Sequence, residues 1–154
     1  MLHAWVIGPV IVTVGYWEQI GVETELGARV EIRRVAPEPV PGANPGVAGF
    51  RVLPVSAGVW RADLFTGPAG PIYHYHPAFC DGDVGERSLD PALTADPVAW
   101  TMAQLADIRA LLVGSGAADV ADAVPQAHLD VVLPEIRRAI ERSFRPIAEV
   151  AAGR

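Results

Sequence analysis

The chain has 154 residues, 51% of them hydrophobic, and a formal net charge of −6. This apolar content excludes disorder, and the length is that of one domain, which buries roughly two thirds or more of its unfolded surface. All twelve basic residues are Arg against eighteen acidic ones, and an acidic chain without a basic stripe argues against a nucleic-acid partner.

Leu2 to Val14 is mostly apolar. It has no positive n-region, contains Pro9 and is too short for a bilayer, which takes about 20 apolar residues. It reads as buried strand, not as a leader or membrane anchor. The single cysteine, Cys80, forms no internal bridge, which fits a reducing compartment and a cytoplasmic protein.

The first half reads as strands. Ala4 to Ile7 and the β-branched run Val10 to Val14 are separated by the Gly8-Pro9 break. Gly27 to Val35 alternates Val30 and Ile32 against Arg29, Glu31 and Arg33, the pattern of a strand with one wet face. Ala36 to Gly49 holds four prolines and three glycines and reads as a long surface loop. Phe50 to Val55, Val59 to Phe65 and Ile72 to His76 are further strands, the last two joined by a hairpin turn within Thr66 to Gly70. Pro77 to Pro91 reads as loop, with a turn at Asp81-Gly82-Asp83.

The second half is helical. Asp96-Pro97 is an N-cap followed by a first-turn proline. Val98, Met102, Leu105, Ile108 and Leu112 follow as one apolar stripe, with Asp107 and Arg109 on the polar side. Gly114 and Gly116 end that helix. A short turn is expected at Ala118 to Ala123. A last helix is expected over 126–144, with Leu129, Val132, Leu133, Ile136, Ile140 and Phe144 buried. Pro134 either kinks that helix or restarts it. Its arginines are interleaved with acids, as in the pair Arg137 and Glu141. The pattern is one α+β domain over residues 1–154. A mostly antiparallel, curved sheet or partial barrel is packed with two C-terminal helices.

Chemistry concentrates in Trp60 to Glu86. On a strand His74 and His76 share a face, about 6.5–7 Å apart along the chain, with Tyr73 and Tyr75 on the other. Two imidazoles at that spacing can converge on a divalent metal. Cys80, Asp81, Asp83, Glu86 and Asp63 are candidate third ligands. The same pair also suits a structural role at the end of a strand. The hairpin register decides the setting. With Phe65 opposite Pro71 the histidines face Ala62 and Trp60. A loop one residue shorter, with Phe65 opposite Gly70, puts them on the face of Arg61 and Asp63. Cupins begin their metal motif with His-x-His, but His76 to Glu86 is too long for it and no later strand carries the further histidine, so no cupin is assigned.

Trp60-Arg61-Ala62-Asp63-Leu64-Phe65, His74-Tyr75-His76-Pro77, Arg87, Asp90, Asp96-Pro97 and Trp100 together resemble a family of uncharacterised small bacterial proteins with a WRxDLF…HxHP…DPxxW pattern. The resemblance covers residues 59–112 and implies no established activity. The expected function is a small-molecule-binding protein or enzyme with its site on the 59–76 hairpin. His74 and His76 would be acid/base groups or ligands, and Asp63 would orient a histidine. Arg61 would pair with an anionic group, and Tyr73 and Tyr75 would be substrate contacts. The alternatives are a metal-binding protein using His74 and His76, and a non-catalytic homodimer built on the N-terminal strands and the last helix.

Overall fold

The computed structural model describes residues 1–19, 25–41, 49, 51–80 and 83–146. Seven strands precede five helices among these residues: β1 (Leu2–Ile7), β2 (Val10–Gln19), β3 (Glu25–Val35), β4 (Val40–Pro41), β5 (Arg51–Val52), β6 (Val55–Gly67), β7 (Gly70–His76), α1 (Pro91–Ala95), α2 (Pro97–Ala106), α3 (Ile108–Gly114), α4 (Ala118–Ala121) and α5 (Gln126–Ser143). The main sheet is antiparallel in the order β1-β2-β3-β6-β7. It is open, and register shifts at Ile32 and Arg33 against β6 bend it as β-bulges do.

Alternation along the strands separates the two faces of this sheet. Val12, Val14, Val30, Ile32, Trp60, Ala62 and Leu64 are all buried on one face, which α5 covers with Leu129, Val132, Ile136 and Ile140. Met102, Leu105, Ile108 and Leu112 of α2 and α3 join the same core. The stripe of α5 is therefore spent on its own sheet and is not a free dimer surface. Leu129 and Ile136 are both 0% exposed. Among the described residues no helix is long and apolar enough to cross a membrane.

Several local expectations are corrected. The helix expected from Asp96 is two helices, because Asp107 accepts the amide of Ala110 (3.2 Å) and starts α3. Helix α1 lies where the chain shows no apolar stripe; Asp90 accepts the amide of Ala92 (2.8 Å), with Pro91 behind it. That is the same Asp-Pro start as Asp96-Pro97. Helix α5 runs unbroken through Pro134. Phe50 to Val55 is not one strand. Arg51–Val52 pairs with Val40–Pro41, and Val55 opens β6 beyond Pro54, which has no N–H for a ladder. Residues 42–48 of the Pro/Gly loop, Phe50, and Asp81 and Gly82 of the expected turn lie outside the described residues.

Candidate functional site

The β6–β7 hairpin turns through Pro68 and Ala69, with Gly67 opposite Gly70. Proline pre-sets the first central position of a tight turn, and Gly70 takes φ +116°, which a side chain disfavours. Phe65 therefore pairs with Ile72, Asp63 with His74 and Arg61 with His76. Neither sequence-based register holds, but the parity is that of the polar alternative. His74 and His76 share the face of Arg61 and Asp63.

Pairing through β2, β3, β6 and β7 aligns two rows across this face. One is Gly15, Arg29, Asp63 and His74; the next is Thr13, Glu31, Arg61 and His76. Charges alternate along and between the rows, so each acid lies beside arginines. The face looks away from the helices, yet its centre is closed: Asp63 is 1% exposed, His74 6% and His76 4%.

Asp63 is the hub. Arg29 Nε donates to Oδ1 at 2.7 Å, and Arg61 donates to Oδ2 from Nε at 2.9 Å and Nη2 at 2.6 Å. Burial pushes this carboxyl up, but the two guanidiniums together outweigh it and hold it below the usual carboxylate range. His74 Nε2 lies 3.3 Å from the same Oδ2 and His76 Nε2 3.7 Å. The rings meet edge-on with centroids 5.2 Å apart. Ligand atoms of Asp63, His74 and His76 all lie within 4.8 Å of one another.

The other ring nitrogens differ. His74 Nδ1 is 3.2 Å from the carbonyl of Ile72. A carbonyl only accepts, so Nδ1 carries the proton and a neutral ring turns its Nε2 lone pair to Asp63. Burial, with Arg87 and His76 adding to it, pushes the His74 imidazole below its ordinary value, against the pull of Ile72 and Asp63. His76 Nδ1 is buried without a hydrogen-bond partner among the described residues.

Aromatic rings wall the cluster. The Arg29 guanidinium lies 5.1 Å from the Trp17 ring and 5.7 Å from Phe65. Phe79 faces Arg33 at 5.0 Å and Arg61 at 5.8 Å. Gly58 makes room for it, since a Cβ there would collide with the Phe79 ring.

Of the sequence candidates, Asp63, His74, His76 and Arg61 come together. Tyr73 and Tyr75 do not join them. They point to the helix side, where Tyr73 meets Phe144 edge-on at 6.3 Å and Tyr75 lies 5.0 Å from Trp100. Tyr75 lines a separate cavity of about 380 Å³ with Trp60 and Gln104. Cys80 is exposed, with its thiol on the Asp83 carbonyl. Asp83 and Glu86 are also exposed, and Asp81 lies outside the described residues. None of the described three belongs to the ligand group, so of the candidate third ligands it is Asp63 that meets the histidines. Arg29 and Phe79 also border the cluster, and no motif marks either of them in the sequence. Arg29 was legible only as part of a wet face, and its place beside Asp63 follows from the β3–β6 register. No protein-family model, curated protein or solved structure matches the chain, and the reading of the site rests on its own geometry.

Proposed function

We propose that this chain is a small-molecule-binding protein that holds a divalent metal ion at Asp63, His74 and His76, with its ligand bound at that ion. The supporting observation is that both imidazole Nε2 atoms are aimed at one carboxylate oxygen, at 3.3 and 3.7 Å. An ion held about 2.1 Å from each donor spaces tetrahedral donors about 3.4 Å apart. With its Nδ1 proton directed at Ile72, His74 in its neutral form turns Nε2 as an acceptor toward the Asp63 carboxylate, a contact that a cation between them relieves. The Ile72 carbonyl, 3.2 Å from Nδ1, fixes the ring orientation, as carbonyls bonded to the far nitrogen of a ligating histidine do in metal sites.

Two imidazoles and one carboxylate suit a first-row ion such as Zn²⁺ or Fe²⁺ better than Mg²⁺ or Ca²⁺, which prefer oxygen. Three protein donors leave coordination positions for a ligand, as in catalytic rather than closed structural sites. In this reading the histidines are ligands, and Arg29 and Arg61 position Asp63. Elemental analysis of untagged protein beside a His74→Ala/His76→Ala variant tests it.

A homodimer is the second reading. Its support is edge strand β1, where Leu2 is 70% and Val6 44% exposed. Light scattering of a Val6→Asp variant tests it: a dimer that becomes a folded monomer supports this reading.

A further inference from the structure

We infer that the ligand of this site is a small oxyanion carrying two negative charges, bridging the metal ion and the guanidinium groups of Arg29 and Arg61. The inference rests on the metal reading and names what the ion binds.

The first ground is charge. At the centre of the face one buried carboxylate, Asp63, meets two guanidiniums at 2.6 to 2.9 Å, with the Arg61 side chain 12% and that of Arg29 30% exposed. Asp63 and the two guanidiniums sum to about one positive charge, and a divalent ion raises the sum to about three. Uncompensated charge in a desolvated site is strongly unfavourable. The nearest additional acid on the rows, Glu31, is taken by Arg33 at 2.8 Å. The missing negative charge therefore belongs to the ligand.

The second ground is hydrogen bonding. Arg29 uses only Nε on Asp63, and Arg61 uses Nε and Nη2. Among the described residues, Nη1 and Nη2 of Arg29 and Nη1 of Arg61 donate to no protein group. These are planar donors in a fixed fork, the geometry that matches carboxylate and phosphate oxygens. The Arg29 side chain is 30% exposed, so a ligand reaches it from solvent. Trp17 and Phe65 hold its guanidinium in place.

The experiment uses the full chain loaded with Co²⁺, its stoichiometry fixed first by elemental analysis. Inorganic phosphate and malonate are titrated separately, against chloride at equal ionic strength. Visible absorption of the cobalt and calorimetry are the readouts. A saturable change in both readouts with phosphate, malonate or both is expected; the stronger of the two identifies the oxyanion class. Arg29→Gln, compared with the parent at cobalt concentrations that fill the site in both, is expected to weaken anion binding about tenfold or more, the worth of a charge-assisted pair. Full cobalt with no response to either anion beyond the chloride control overturns this inference and leaves the metal reading standing. Protein that takes up no cobalt overturns both.

Discussion

Asp63 and His74 stand directly opposite each other on β6 and β7, with Oδ2 3.3 Å from Nε2. The carboxylate is kept ionised by Arg61 and Arg29, and the imidazole has its one neutral-state proton on the Ile72 carbonyl. In the metal reading a cation lies between these two groups. The remaining members of the site follow from the strand pairing that sets these two face to face.

Asp63→Ala is expected to be the most damaging single change on this face. It leaves Arg61, 12% exposed, and Arg29 without their shared partner. Breaking a buried pair by removing one member costs about 3–5 kcal/mol. Urea unfolding checks it; a loss below about 1 kcal/mol would mean that the pairing is screened as on an open surface.

Gly58→Ala is expected to displace Phe79, because the added Cβ overlaps the ring. Overpacking of this kind costs about 1–3 kcal/mol. The double variant Gly58→Ala/Phe79→Ala is expected to show less than the sum of its single changes, since the clash is gone. Additive losses in a double-mutant cycle would contradict the contact.

Asp90 serves two partners: Oδ1 caps α1 at Ala92, and Oδ2 accepts from Trp100 Nε1 at 2.9 Å. Asp90→Ala is expected to lose about 1–3 kcal/mol, a cap plus a hydrogen bond. It is also expected to alter the near-ultraviolet dichroism of the Trp60–Trp100 pair, whose centroids are 6.1 Å apart. An unchanged aromatic spectrum would show that the bond does not hold Trp100.

Metal-free protein is expected to lose stability on acidification in two stages. His74 is lowered from 6.5, so the unfolded chain takes the proton first. Its contribution is complete above about pH 6.5 and is lost as the pH falls through the lower folded value. Asp63 is lowered from 3.8, so its contribution is complete above about pH 3.9 and is lost as the pH falls through its own folded value. Chemical denaturation across pH, repeated with His74→Gln, checks the first stage. A variant that keeps it would assign that stage to another group.

The α+β class was legible because period-2 and helical patterns occupy different halves of the chain. The shared face of His74 and His76 followed from their spacing alone. Their union with Asp63 depended on where the hairpin turns, and Thr66 to Gly70 offers more than one turn of similar chemistry. Only the ladder from Gly67–Gly70 through Arg61–His76 settles it. Arg29 is 34 residues from Asp63, and no local pattern predicts that pairing. Helix α1 has five residues, too few to show a period, although its Asp90-Pro91 start repeats that of Asp96-Pro97.

The central claim is tested most directly by elemental analysis of protein purified without an affinity tag or chelator, with the His74→Ala/His76→Ala variant beside it and folding of both checked by circular dichroism. The account predicts close to one equivalent of a first-row divalent metal in the parent protein and loss of that metal in the folded variant. A parent that carries no metal and takes none up on incubation with Zn²⁺ or Fe²⁺ would contradict it.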